Sequence, residues 1–204
     1  MKTYRWKICI AALAAIAGIL CAARAQSQEL KQTYNVAPGD SLYDDMKDKE
    51  RMFMQERLGK PFPRYGIAWS VDRVRYDFDH IQRPAVIMVG HAACLPCTIQ
   101  LPVLVSFSKQ RKYRDVDFIY ITQDSREVVL RETGKRGYGK VKVFSFSRRY
   151  IIDTMCTVAV FPTVYFIDRQ GIARIITAGG RTDKDAVPYL RQKWQNYIDT
   201  IRID

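Results

Sequence analysis

The chain has 204 residues, a hydrophobic fraction of 48% with 12% aromatic residues, and a net charge of +12. That length and apolar content allow one ordinary domain with a real core plus extra segments, and they exclude a disordered chain. Four of the 33 cations lie in the first 25 residues, so 29 cations against 21 acids leave +8 for the rest. Such a balance permits nucleic acid or an anionic membrane as partner. The cations are scattered, however, and the densest groups, Lys109-Gln110-Arg111-Lys112 and Lys135-Arg136, fall near predicted helix ends. They read as a solvated basic face, with no nucleic-acid partner.

Residues 1–25 read as a signal peptide. Met1 to Lys7 is a basic n-region, Ile8 to Leu20 is apolar, and Ala23-Arg24-Ala25 is a small-x-small cleavage site. The apolar run is shorter than the roughly 20 residues of a membrane span. Cys21 leaves a lipoprotein open as an alternative, although Leu20 stands where a small residue is wanted, and an uncleaved anchor is another. The expected location is the periplasm or another extracytoplasmic compartment. Removal of Cys9 and Cys21 with the signal leaves Cys94, Cys97 and Cys156, an odd number that fits one working pair and one spare thiol.

Residues 26–58 read as a polar lead and an amphipathic helix. Ser41 with Asp44 forms an approximate capping box, Leu42, Met46, Phe53 and Leu58 form a stripe, and Gly59 and Pro61 end the helix. Met52 and Met54 blur that stripe and read as packing residues. A leader helix packed on the domain and a partner-docking element both stay open. The domain proper spans 59–204. Gly66 to Val71 and Val74 to Phe78 predict a hairpin across Asp72-Arg73, a turn without the usual glycine. Ala85 to Val89 is apolar at consecutive positions, as in a strand buried on both faces.

That strand runs into Gly90-His91-Ala92-Ala93-Cys94-Leu95-Pro96-Cys97, and a predicted helix leaves it with Pro102 near its first turns, where it would kink the helix. Two cysteines in this spacing at a helix start can close a disulfide and reopen it. The unpaired N–H groups and the positive end of the helix dipole favour a thiolate on the first cysteine. An inert disulfide and half of a metal site are the competing readings. A structural zinc site needs about four ligands, and beyond the pair the mature chain offers Cys156, His80 and His91.

Downstream, Val116 to Thr122 predicts a second buried strand, and Ser125 caps a helix to about Arg136 that Gly137-Tyr138-Gly139 stops. Val141 to Phe146 predicts a strand and Arg148 to Met155 a short helix. Val158 to Ile167 predicts a strand interrupted at Phe161-Pro162-Thr163, and Ile172 to Thr177 pairs back across Asp168-Arg169-Gln170-Gly171. Thr182 with Asp185 caps a last helix with Val187, Leu190, Trp194, Tyr197 and Ile198 on one face. Alternating strands and helices with a closing hairpin give an α/β class with a mixed sheet.

Together these pieces resemble the thioredoxin-like superfamily, and within it the exported TlpA/ResA-type thiol-disulfide oxidoreductases. The resemblance rests on Gly59-Lys60-Pro61-Phe62-Pro63, on Cys94-Leu95-Pro96-Cys97 with Pro102, on the strand and helix over Val141 to Met155, and on Val160-Phe161-Pro162-Thr163 with its following strand. It implies a thioredoxin-like fold: a central mixed β-sheet flanked by helices, with an N-terminal hairpin and an extra strand–helix insertion. The chain departs from the family at Ala93 and Gly90, where aromatic residues are usual. It departs also at Met88, Leu95 and Gln100, where acidic groups occur in relatives.

The resemblance also implies an activity. Cys94 would attack a substrate disulfide and Cys97 would resolve the mixed disulfide, Cys94 being the more exposed of the two. Phe161, Pro162 and Thr163 would bind the substrate, with Pro162 in a cis bond facing the cysteines, or in trans on an edge strand. His91, Leu95 and Pro96 would be active-site neighbours, His91 either steadying the thiolate or standing idle. Cys156 reads as a small apolar residue or as a thiol near the site. No cofactor is expected beyond the redox-active Cys94–Cys97 disulfide, and no metal. The implied partners are exported cysteine-containing proteins such as apocytochromes c, with a membrane electron donor of the DsbD type. The other reading is a catalytically weak binding module that holds a protein partner; copper-delivering and peroxide-reducing relatives stand further off.

Overall fold

Helix α1 (Ser41–Arg57) opens a computed structural model that describes residues 41–155, 157–158 and 160–203, without the side chains of 41–47 and 132–136. The signal peptide, the polar lead and Cys156 lie outside the described residues, as do the side chains of the capping box. Gly59, just after the helix, has φ +75, a left-handed cap that glycine adopts without a Cβ penalty. Met54 is buried and Met52 exposed, so one of the two methionines packs and the other does not. Beyond the helix, the Gly59 N–H donates to the Ala173 carbonyl at 2.8 Å and the Ala173 N–H to Lys60 at 2.9 Å. The domain's opening segment is thereby paired with its last hairpin.

Strands β1 (Ile67–Trp69) and β2 (Arg75–Asp77) form the predicted hairpin as a separate two-stranded antiparallel sheet. They are shorter than expected because residues 70–74 make the turn. Arg73 takes φ 65, the role the missing glycine would have had. The Val74 N–H donates to Ser70 Oγ at 2.9 Å, and the Val71 N–H donates to the Val143 carbonyl at 2.8 Å, tying the hairpin to the main sheet.

The main sheet comprises β3 (Ala85–Gly90), β4 (Asp117–Thr122), β5 (Lys142–Ser145), β6 (Thr163–Ile167) and β7 (Ala173–Ala178), in the order β5-β4-β3-β6-β7. β3 pairs parallel with β4 and antiparallel with β6; β4 and β5 are parallel and β6 and β7 antiparallel. Every residue of β3, β4 and β6 is buried, which accounts for their unbroken apolar runs. Each fully buried Val or Ile side chain stabilises by roughly 1.5–3 kcal/mol relative to exposure. One face carries an aromatic cluster that includes Phe62 against Tyr165 and Phe78 against Phe144, each at 5.1 Å. The other carries Val86, Met88, Phe118, Tyr120, Val164 and Phe166 in one core with the helices.

Helices α2 (Leu95–Ser108), α3 (Arg126–Arg136) and α4 (Ala186–Ile203) complete the fold, with a π-helical turn at Tyr150–Thr154. Pro102 lies inside α2 on its exposed side, and the helix continues through it to Ser108. Ser125 Oγ accepts from the Val128 N–H at 3.4 Å, the predicted cap of α3. Three expectations change. β6 begins at Thr163 and not at Val158, since the chain bends at residues 160–162 into the proline. The turn before α4 is held by Asp183, whose side chain accepts from the Asp185 N–H, and not by Thr182. Val187 is 37% exposed, so the buried stripe of α4 runs through Ala186, Leu190, Trp194, Tyr197, Ile198 and Ile201. Among the described residues no helix is long and apolar enough to cross a membrane.

Candidate active site

The site lies where β3 ends and α2 begins. Cys94 is the N-cap of α2, with φ −95 and ψ 111, and it is disulfide-bonded to Cys97 at a Cα–Cα distance of 5.2 Å. The Cys97 N–H donates to Cys94 Sγ at 3.3 Å, and Pro96 occupies the first helical turn, where its missing N–H leaves nothing unsatisfied. No acidic side chain stands in that turn to oppose a thiolate. The expected difference in exposure is small, since Cys94 is 9% exposed and Cys97 2%. Leu95, at 64%, is the exposed residue of the motif.

Gly90 supports the pair. A Cβ there would sit 3.0 Å from Cys97 Sγ and 3.3 Å from Tyr120 Cε2, so any larger residue must push against the seat of Cys97 by a few tenths of an ångström. An aromatic side chain at this position would have no room, because the Tyr120 ring reaches the same space from β4.

The Phe161–Pro162 peptide is cis. Thr163 pairs with Val89 across β3 and β6, and one further step of that register sets Pro162 beside Gly90. Pro162 and Thr163 are buried and Phe161 is half-buried. The Pro162 carbonyl accepts from the Gly179 N–H at 2.8 Å, while no hydrogen bond among the described residues engages the Phe161 backbone. His91 packs its ring edge-on against Phe161 at 4.9 Å, linking the loop before the cysteines to the loop before the proline. His80 stands apart, at 3.2 Å from Asp77 in the hairpin.

Two features go beyond the sequence reading, which named Gln100 only as a departure from the family pattern. Gln100 is 2% exposed; its Nε2 donates to the Gly179 carbonyl at 2.9 Å, and its Oε1 has no hydrogen-bond partner among the described residues. A Cβ on Gly180 would meet Gln100 Nε2 at 2.2 Å, so this loop also closes tightly over the site. The second feature is Asp124, just beyond β4. Its Oδ2 accepts from the Ala92 N–H at 2.8 Å and from the Thr122 hydroxyl at 2.7 Å. Asp124 lines a cavity of about 70 Å³ together with His91, Cys97, Thr98, Tyr120 and Tyr138. Burial pushes the Tyr120 phenol upward, and the Asp124 and Tyr138 charges push the same way against a hydrogen bond with Thr122. An Asp two residues past a strand is an ordinary loop residue in sequence; nothing local marks it as a neighbour of the motif. A larger, open depression of about 670 Å³, lined by Arg111, Lys112, Arg114, Asp115 and Arg202, contains none of the motif residues. Among the described residues no cluster of three or more His, Cys, Asp or Glu is placed to hold a metal ion.

No protein-family model matches the chain, and no curated protein matches its sequence. Solved structures match its shape. A thiol:disulfide interchange protein of the thioredoxin family from Chlorobium tepidum TLS superposes with a TM-score of 0.57 at 16% identity, over 70% of this chain and 96% of that one. A conserved protein from Geobacillus kaustophilus gives 0.56 at 19% identity, over 71% and 81%. A secreted Mycobacterium tuberculosis disulfide oxidoreductase homologous to E. coli DsbE gives 0.50 at 14%, over 71% and 98%. The chain therefore has a thioredoxin-like fold, with the expected N-terminal hairpin and the extra strand and helix between α3 and β6.

Proposed function

We propose that the protein is an exported thiol-disulfide oxidoreductase that reduces disulfides of exported proteins through Cys94 and Cys97. The observation that carries this reading is the Cys94–Cys97 disulfide at the N-cap of α2, on a thioredoxin-like fold with a cis proline on the adjoining strand. In the reduced state the Cys94 thiolate gains from the Cys97 N–H and from the helix dipole. It attacks one sulfur of a substrate disulfide, forms a mixed disulfide and releases the first substrate thiol. Cys97 then attacks Cys94 Sγ, closes the internal disulfide and releases the second thiol. The substrate gains two electrons and the protein loses two. The Phe161 backbone offers an edge along which an extended substrate segment can pair. A DsbD-type membrane donor returns the electrons, and apocytochromes c are clients of the right chemistry. Export rests on residues 1–25, and the secreted relative in shape is consistent with it.

The test is insulin reduction by dithiothreitol. The wild-type chain should accelerate precipitation, and Cys94→Ala should remove that acceleration. A wild-type chain no faster than Cys94→Ala overturns the enzyme reading and leaves a binding module. The redox potential of the Cys94–Cys97 couple, measured against glutathione, then decides donor against acceptor, on a scale of roughly −270 to −120 mV.

A further inference from the structure

The resolving step leaves a proton to be placed. Cys97 is 2% exposed and lies over Gly90, so bulk water reaches its sulfur poorly. A thiol must lose its proton before it attacks a disulfide, and an unperturbed one does so only near pH 8.5, roughly. The positions expected to supply a base near Cys97 hold Met88, Leu95 and Gln100 instead. The cavity beside Cys97 does contain a carboxylate, that of Asp124. Its volume of about 70 Å³ exceeds the roughly 10–15 Å³ that one water requires.

Asp124 is held for such a task. The Ala92 N–H and the Thr122 hydroxyl both bond to Oδ2, and the Asp124 N–H returns to Thr122 Oγ1 at 3.1 Å. Oδ1 is the oxygen left to take up a proton. The other titratable groups around the cavity are His91 from the loop before α2, Tyr120 from β4 and Tyr138 from the segment after α3. Nearby in the chain, Arg126 donates to the Val71 carbonyl at 3.1 Å and Glu127 is exposed.

We propose that Asp124 accepts the Cys97 proton through water in this cavity as the mixed disulfide is resolved. The proton passes from Cys97 to the Asp124 carboxylate, and the Cys97 thiolate forms the S–S bond to Cys94. The Cys94–substrate bond breaks, and the departing substrate thiolate is protonated by the Asp124 acid or by solvent. The inference rests on the exchange reaction proposed above and names its base.

The test uses the full chain carrying Cys9→Ser, Cys21→Ser and Cys156→Ser, reduced and mixed with dithiobis-nitrobenzoate. Attack by Cys94 releases one coloured thiolate, and attack by Cys97 on the mixed disulfide releases a second. Followed by stopped flow from about pH 5 to 9, the second phase reports deprotonation of Cys97. Asp124→Asn keeps an oxygen for Ala92 and Thr122 but removes the base. It should slow the second phase about tenfold or more near neutral pH, recover toward alkaline pH, and leave the first phase unchanged. Asp124→Glu should restore part of the lost rate. Unchanged second phases, an equal loss in both phases, or the same loss from His91→Gln with none from Asp124→Asn overturns the assignment. A parent chain that releases no second thiolate overturns the exchange reaction as well, which separates failure of the parent reading from failure of this one alone.

Discussion

Gly90 and Gly180 set how closely the backbone approaches the disulfide, and they differ in what stands opposite. At Gly90 the obstacle is Cys97 Sγ at 3.0 Å and the Tyr120 ring edge at 3.3 Å, both held in a packed core. Neither can move freely, so Gly90→Ala should destabilise the oxidised protein by about 1–3 kcal/mol, the usual range for overpacking. Urea unfolding measures this, and a variant as stable as wild type would show that the seat of Cys97 is looser than described. At Gly180 the obstacle at 2.2 Å is Gln100 Nε2, the tip of a flexible side chain, with Pro96 Cβ behind it at 3.2 Å. Gly180→Ala should remove little more than the bond from Gln100 to Gly179, about 1 kcal/mol. In a Gln100→Ala background that penalty should largely disappear, and an equal loss in both backgrounds rules out the contact as its source.

The hairpin shows a strained choice made by an element boundary. Arg73 adopts φ 65 in the turn between β1 and β2, and a left-handed conformation costs a non-glycine residue about 1–2 kcal/mol. Arg73→Gly should therefore hold or raise stability despite the added freedom of the unfolded chain, whereas Arg73→Val should lower it. Denaturation midpoints of the two variants decide this, and a drop with glycine as large as with valine refutes it. The strands themselves were legible in the sequence, as were the cap of α3 and the start of α2 behind Cys94. Their signals are local: consecutive apolar residues, a serine before a charged helix, a proline after a cysteine. The cis proline was legible through its Phe161-Pro162-Thr163 surroundings and the strand that follows. What was not legible depends on residues far apart in the chain. Asp124 reaches Ala92 across 32 positions and Gln100 reaches Gly179 across 79. Tyr120 enters the space at Gly90 only because β3 and β4 lie side by side. Met88, Gly90 and Gln100 therefore read as departures from a pattern, although the fold brings an aromatic ring from β4 and an acid from just beyond it to the site.

Across the molecule, each layer beside the main sheet holds a phenol whose ionisation the fold pushes up, and this gives the stability a pH dependence. Tyr120 lies in the core with α2; its phenol is pushed up first by burial and further by the Asp124 and Tyr138 charges. Tyr76 lies on the hairpin side, at 4.9 Å from Phe78; burial again pushes its phenol up, and the Asp117 charge adds to this against Arg83. In the unfolded chain both phenols ionise near pH 10, roughly. Above that pH the folded protein retains protons that the unfolded chain has released, so stability falls as pH rises. The contribution is complete below about pH 10 and is lost above it. Urea midpoints of the oxidised protein between about pH 8 and 11 should stay level and then decline. Because the two rings belong to separate clusters, Tyr120→Phe and Tyr76→Phe should each make the decline shallower, and the double variant should combine the two effects. A double variant with the wild-type slope would assign the decline to other groups. The onset near pH 10 lies above the range in which Asp124 is tested, so loss of fold and loss of proton transfer can be read apart in the same chain.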